Sequence, residues 1–382
     1  MRILIFNGYY YPARNYGGPQ TSIANLVMAC GDEHLFYIVS KNHDFNSRDI
    51  FDVPLHKVVP VGKANVIYLK DGELDYSIRD MMSFIKDINP DLIWFAGVLV
   101  PAKRIVGAFA ARRLHIPFLL SPRGEVNADH VAIKAWKKKP MLFLLRLLGI
   151  YKDSYFHSTC TDEYDGIIKY FHPKLDHVFM VPNIPLAKQP VLHNPVKKEG
   201  HLNCYFLSRI HPVKNILFTI NALSHCHSIV RYDIYGPIED SSYWSDCQAS
   251  INRLPSNITV NYKGFLSREN LSEVIQSYDC LLFMSQNEDY SHTIAESLSN
   301  SRPVIIGRGA TPWDDVDGVA GFTSSLNNPI DLSQKIDLLA SLDNESYKKL
   351  VSSTEVFFIN SPLVNNAIKG HLNMFKCIND SR

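Results

Sequence analysis

Short apolar runs of strand length recur along this chain with helical patterns between them: RILIFN, HLFYIVS, DLIWFAG, PFLLSPRG, YFHSTCT and HVFMVPN in the first half, NCYFLSRI, VRYDIYG, ITVNYKG, CLLFMS and PVIIG in the second. Strand and helix alternating in this way predict an α/β fold in which parallel sheets carry helices on both faces. With 382 residues the chain is too long for one core, which rarely grows beyond roughly 250 to 300 residues, so two doubly wound domains are expected in tandem. The alternation breaks after Pro185 into AKQPVLHNPVKKEG, with two prolines and no periodic apolar face. That places a first domain over 1–185, a linker over 186–200 and a second domain over 201–360. The chain closes in helical stretches, LSQKIDLLASL, ESYKKLVSSTEVFFI and LVNNAIKGHLNMFKC, without a further strand.

Lysine plus arginine (39) balances aspartate plus glutamate (38), which argues against nucleic acid or another polyanion as the main partner. The seven cysteines are scattered and form no CxxC pair, as suits a reducing cytoplasm. MRILIF enters a strand directly, so no signal peptide is expected. MLFLLRLLGI, Met141 to Ile150, contains Arg146 and falls short of the roughly 20 residues a bilayer span needs. The expectation is a cytoplasmic protein, at most peripheral on a membrane.

Ligands of open parallel sheets sit beyond the carboxyl ends of the strands, so the loops there carry the argument. After the first strand, Gly17 and Gly18 precede Pro19 at the start of an amphipathic helix, where backbone N–H groups can approach a phosphate or sugar. The loop is neither G-x-G-x-x-G nor G-x-x-x-x-G-K-[ST], which disfavours dinucleotide and Walker readings. In SRIHPVKN, Arg209 at a strand end and Lys214 at a helix entry suit a pyrophosphate, or else are two solvated cations. Gly236 in YDIYG is either a close approach or a simple turn.

NEDYSHTIAESLSNSRPV, Asn287 to Val304, places Glu288 in a strand-end loop and Glu296 on the following helix, where His292, Glu296 and Asn300 share a polar face. Thr293 with Glu296 fits a capping box. Alternatively, the two carboxylates accept paired hydrogen bonds from vicinal hydroxyls, one holding a ribose and the other a hexose, with the helix N-terminus facing phosphates. The residues alone leave both readings open. HCH at His225 to His227 reads as helix-end packing, because adjacent residues point apart. Asp315, Val316 and Asp317, beside Gly318, read as a surface turn rather than a metal site.

Glu288-x7-Glu296, between an apolar strand and a helix followed by PVI, resembles the E-x7-E motif of retaining GT-B glycosyltransferases, especially family 4. SRIHPVKN is similar to that family's strand-end Arg and helix-start Lys. The first-loop GG, VPN at the end of the first domain and YDIYG fall in the expected order, and TPW at Thr311 to Trp313 is similar to a bacterial polysaccharide-building subgroup. The resemblance spans almost the whole chain. It implies two Rossmann-like domains facing across a cleft, the first for the acceptor and the second for a UDP- or GDP-sugar, with the C-terminal helix, about 361–382, packed back on the first. It implies a hexosyltransferase acting with retention, without metal or other cofactor, in bacterial surface polysaccharide assembly such as O-antigen, on a glycan or lipid-linked acceptor.

Carried over, Arg209 and Lys214 neutralise the donor pyrophosphate, Glu288 holds the donor sugar and Glu296 binds the ribose. Gly17, Gly18, Gly236, Asp289, Tyr290, Ser291, His292 and Thr293 line the donor. Where relatives have EGFG this chain has Glu288, Asp289, Tyr290, Ser291, and NSRPV carries Ser301 and Arg302 where a small residue and Gly are more usual. The histidine that many relatives place after the strand PFLLSPRG is absent, leaving Arg123 or Glu125 for the sugar side, with Asn183 of VPN beside them. The segment AIKAWKKKPMLFLLRLL mixes Lys134, Lys137, Lys138, Lys139 and Arg146 with Trp136 and a leucine stripe. It reads either as contact with an anionic membrane or as a helix with one face in the core and its lysines in water. A nucleotide-sugar 2-epimerase, or a non-catalytic sugar-nucleotide-binding partner of an assembly complex, are the alternatives. No stretch within residues 41–75 reads as a sugar site.

Overall fold

The computed structural model describes residues 1–13, 17–45, 47, 49–75, 77–99, 101–132, 135–192 and 196–381, and the chain divides into two compact units, Met1–Ile184 with Asn365–Arg382 and Pro185–Val364. The first unit carries β1 (Arg2–Phe6), β2 (Leu35–Lys41), β3 (Val58–Val61), β4 (Ala64–Leu69), β5 (Leu92–Ala96), β6 (Phe118–Ser121), β7 (Tyr155–Ser158) and β8 (Val178–Met180). They form one sheet in the order β3-β4-β2-β1-β5-β6-β7-β8, parallel except for the β3–β4 pair. Strands β5, β6 and β7 are buried along their whole length; in β5, LIWFA, this follows from a continuous apolar run, while in β6 and β7 the buried Ser121 and His157 hydrogen-bond each other.

The helices form for local reasons that can be named. Over Ile78–Ile88, Met81, Ile85 and Ile88 recur on one face and are buried, the Ser77 hydroxyl accepts from the Asp80 N–H, and Asn89 ends the helix in the left-handed conformation. Burying three such side chains is worth roughly 1.5–3 kcal/mol each. The C-terminal helix Pro362–Asp380 does the same with Ala367, His371, Met374, Phe375 and Ile378. Phe375 lies 6.3 Å from the Phe36 ring and 6.0 Å from that of Trp94, so from Asn365 onward this helix belongs to the first unit.

The second unit carries β9 (His201–Leu207), β10 (Ile229–Tyr235), β11 (Ile258–Gly264), β12 (Cys280–Phe283), β13 (Val304–Gly307) and β14 (Gly321–Ser324), all parallel, in the order β11-β10-β9-β12-β13-β14. The strand order reverses between β9 and β12, the switch point at which such sheets leave room for a ligand.

Three features depart from the sequence reading. The β3–β4 hairpin was not expected: Pro60 interrupts its apolar run and is tolerated because β3 is the edge strand. Strand β14, GFTS, is short and opens on a glycine. The stretch expected as a linker is fastened to the second unit, with Gln189 N donating to Ser299 O, Leu192 N to Gln276 Oε1 (2.7 Å), and the buried Lys197 ammonium to Ala340 O (3.0 Å).

Candidate functional site

The loops that leave β9 and β12 meet at the switch point of the second sheet. The first passes Arg209 and closes a 3-10 turn, Pro212–Lys214, whose N-cap His211 Nδ1 accepts from the Val213 N–H; Asn215, left-handed at φ 59°, then starts the helix Ile216–Leu223. The second is tied to it by Gln286 N donating to Val213 O at 2.9 Å. This juxtaposition brings the Lys214 ammonium onto Glu288 Oε1, which also accepts from the Ser285 hydroxyl at 2.6 Å. The Glu288 N–H donates to Ala310 O, so both the backbone and the side chain of this acid are fixed.

Beyond Glu288, Tyr290 is buried, its carbonyl accepts from Trp313 Nε1 and its ring lies 5.6 Å from that of Trp313. Ser291 is left-handed, φ 61°, and the helix His292–Ser299 begins directly after it. His292 packs its ring 5.1 Å from Tyr290. The capping-box reading is corrected here: the Thr293 hydroxyl donates to Leu207 O, at the end of β9, at 2.8 Å, and no side chain caps the helix. Glu296 is instead a buried acid, 7% exposed, with Arg268 Nη2 3.6 Å from its Oε1. Burial pushes its carboxyl up to about 7, and Arg268 only partly offsets this.

Arg209 is not drawn onto this pair. Its Nη1 bridges both oxygens of Glu239, at 3.0 and 2.9 Å, in the loop after β10. Gly236, which the sequence left between two readings, is a close approach: at φ 131° a Cβ would lie 1.9 Å from Ser208 O, beside Arg209. Of the pair Ser301 and Arg302, it is Ser301 that takes the left-handed conformation, φ 55°, whereas Arg302 is buried and donates to Gln276 O. Asp289 lies in the loop between Glu288 and the helix.

In the first unit, Gly17 (φ 68°) precedes the helix Gly18–Cys30, and a Cβ on Gly17 would meet nothing within 4 Å, so the requirement there is conformational. Arg123, itself left-handed, donates from Nη1 to Asn183 Oδ1 at 2.7 Å and lies 5.9 Å from the Trp94 ring. Glu125 turns its Oε2 to the backbone N–H groups of Val98 and Leu99, and so holds the loop after β5. Lys137, Lys138 and Lys139 lie on the helix Ala135–Leu147, while Lys134 lies outside the described residues. Asp315 and Val316 lie in a 3-10 turn, and Asp317 Oδ1 accepts from the Thr323 N–H. His225 to His227 follow the helix Ile216–Leu223, where the His227 N–H donates to Asp337. Among the described residues no cluster of three or more His, Cys, Asp or Glu is placed to hold a metal.

Two site residues escaped the sequence reading, Arg268 and Glu239. Both lie just after a strand, β11 and β10, so the carboxyl-end rule that selected Arg209 would have selected them as well.

Residues 192–355 match the family model described as glycosyl transferases group 1. An uncharacterized glycosyltransferase of Methanocaldococcus jannaschii is 24% identical over 352 residues, covering 89% of this chain and 88% of that protein. Among solved structures, HepE of Anabaena in complex with UDP and glucose superimposes with a TM-score of 0.67 at 15% identity, over 98% of this chain and 99% of that one. The lipopolysaccharide outer core galactosyltransferase WaaB gives 0.63 at 14% identity, over 98% and 99%.

Proposed function

We propose that the chain is a group 1 glycosyltransferase, a retaining family 4 enzyme of the GT-B fold, and that it moves a hexose from a UDP- or GDP-sugar to a glycan or lipid-linked acceptor of a bacterial surface polysaccharide; the family match over residues 192–355 and the likeness to glycosyltransferases of known structure support this reading. The observation that carries the donor reading is the meeting of Lys214 with Glu288 at the β9/β12 switch point, with the buried Glu296 on the helix that follows.

In this reading the donor's ribose hydroxyls donate to Glu296 and its sugar hydroxyls to Glu288. The acceptor hydroxyl attacks the anomeric carbon on the face from which the nucleoside diphosphate leaves, and the configuration is retained. Lys214, with Arg209 once it turns from Glu239, meets the charge that develops on the departing diphosphate. Fixed cations of this kind are worth several kcal/mol in a site that excludes water. We assign that counter-charge to these side chains rather than to a metal.

The acceptor's lipid-linked character rests on the helix Ala135–Leu147. Trp136, Phe143, Leu144, Leu147 and Leu148 are 52 to 74% exposed beside Lys137, Lys138, Lys139 and Arg146. Apolar side chains flanked by cations suit the surface of an anionic membrane, here the inner face of the cytoplasmic membrane. No helix among the described residues is long and apolar enough to cross a membrane.

A thermal-shift panel of nucleoside diphosphates and their sugars, on the wild type and on Glu296→Ala, tests the donor site. A shift with UDP or GDP that the variant loses supports the reading; no shift with any nucleotide overturns it. Sedimentation with anionic vesicles tests the membrane face. Binding undiminished by Lys137→Gln, Lys138→Gln and Lys139→Gln together rejects it.

A further inference from the structure

The neighbouring strands β4, β2 and β1 end side by side at one rim of the first sheet, where the last residue of β2 and the loops that follow the strands bring together five residues that the sequence keeps up to 62 positions apart, Tyr9 to Asp71. The Lys41 ammonium lies 2.6 Å from Asp71 Oδ1 and 3.3 Å from the Tyr9 hydroxyl, and His43 Nε2 lies 2.9 Å from Asp71 Oδ2. Lys41 also sits 5.1 Å from the centre of the Tyr9 ring. The rings of His43 and Phe45 each meet Tyr9 edge-on with centroids 5.6 Å away. Tyr9 is thus held on several sides and in turn orients Phe45, whose surface remains 40% exposed, while Asp71 is 60% exposed.

Stability does not account for this cluster. Ion pairs as open as Lys41 with Asp71 contribute about 0–1 kcal/mol, and an exposed phenylalanine contributes less by burial than a core one. The chemistry is that of carbohydrate recognition. A pyranose has an apolar face of C–H groups and a rim of hydroxyls. Phe45 offers the flat apolar surface, the Asp71 carboxylate has lone pairs beyond those facing Lys41 and His43, and an ammonium has three N–H donors. Because Lys41 already faces Asp71, an anionic substituent would find its charge compensated, so the cluster favours a neutral sugar over an acidic one.

We propose that Tyr9, Lys41, His43, Phe45 and Asp71 form a binding subsite for a neutral pyranose of the acceptor glycan. The term acceptor rests on the transferase reading above; the affinity for a neutral pyranose does not. The orientation of Phe45 by Tyr9 lowers the ordering cost of binding, which matters for a ligand as weakly held as one sugar ring.

The test is saturation-transfer NMR on the full chain with methyl glucoside, galactoside, mannoside and N-acetylglucosaminide, and with methyl glucuronide as the acidic probe. Saturation of at least one neutral pyranoside, reduced about tenfold or more in both Phe45→Ala and Asp71→Asn, is expected. Both side chains are exposed, and their variants are checked for the wild-type melting midpoint before use. No transfer to any neutral pyranoside, transfer unchanged in both variants, or a preference for the glucuronide overturns the proposal. UDP and GDP binding, measured on the wild type, reports separately on the donor reading: a chain that binds nucleotide but no pyranoside loses this subsite alone. One that binds the pyranoside but no nucleotide keeps the subsite and loses the transferase assignment.

Discussion

Lys214 and Glu288 stand 74 residues apart in the chain and meet as a nearly buried ion pair, their side chains 11% and 13% exposed. The sequence suggests that removing Lys214 depresses turnover far more than folding, but the contact makes the lysine matter to both. Breaking a buried pair leaves an uncompensated charge and costs about 2–4 kcal/mol at this degree of burial. Lys214→Met is therefore expected to lower stability by that amount and turnover by roughly 10²- to 10³-fold. Adding Glu288→Gln should restore most of the stability and none of the turnover. Denaturant melts and single-turnover rates on the two variants separate the effects, and a double variant that recovers activity would remove Lys214 from the reaction.

Glu296 gives the site a pH dependence whose sign follows from burial. Its carboxyl is raised from the ordinary 4.5 to about 7 in the folded protein, so folding takes up a proton between those values. The contribution of this group to stability is fully present below about 4.5 and is lost as pH rises toward 7. Ribose hydroxyls that donate to Glu296 favour its ionised form, so nucleotide affinity is expected to rise about tenfold from pH 6 to pH 8. Glu296→Gln should be more stable than the wild type at pH 8 and show weak, pH-independent nucleotide binding. Calorimetric titration with UDP and GDP at the two pH values decides this; a flat wild-type profile would separate Glu296 from the ribose.

The sheets were legible in the sequence because buried parallel strands have nothing to write with except continuous apolar runs, as in LIWFA and CLLF. The β3–β4 hairpin was not, since an edge strand can hold Pro60 and half-exposed side chains, and these blur the pattern. Glu288, Glu296 and Lys214 were singled out by resemblance to a family motif, since their spacing alone also fitted a capping box and a solvated cation, and the structure brings Lys214 onto Glu288. The partners of these residues could not be found in this way: nothing in SRIHPVKN foretells that Arg209 faces Glu239, because that pairing depends on how two loops leave neighbouring strands. Tyr9, Lys41, His43, Phe45 and Asp71 were invisible for the same reason, as the end of β2 and the loops after β1, β2 and β4 supply them.

Ser301 is a residue out of place in energetic terms. It holds φ 55°, a conformation that costs a residue with a Cβ roughly 1 kcal/mol, and its buried hydroxyl has no hydrogen-bond partner among the described residues. Ser301→Gly removes both penalties and pays back part of the gain in backbone entropy. The expected result is a net stabilisation of about 1 kcal/mol and a melting midpoint higher by a few degrees, with nucleotide affinity unchanged. A lower midpoint would mean that the hydroxyl serves a contact the free chain does not display.

Arg209 and Glu239 bear on how the donor enters. The guanidinium spans both oxygens of the carboxylate, yet the two side chains are 53% and 44% exposed, so the pair adds well under 1 kcal/mol to the fold. Such a pair is weak enough for a diphosphate to displace, since a pyrophosphate offers the same forked acceptor geometry with more charge. In the proposed donor site, Glu239 would therefore compete with the diphosphate for Arg209 and also repel its phosphates. Glu239→Gln is expected to tighten UDP or GDP binding several-fold while leaving stability within about 0.5 kcal/mol of the wild type. The gain should shrink as ionic strength rises, because screening weakens the repulsion that the substitution removes. Arg209→Gln should weaken nucleotide binding, and in its background Glu239→Gln should recover only the part due to repulsion. Titrations of the four proteins at low and high salt close that cycle: additive effects of the two substitutions would show that Glu239 does not compete for Arg209, and unchanged binding in Arg209→Gln would show that Arg209 and the diphosphate never meet.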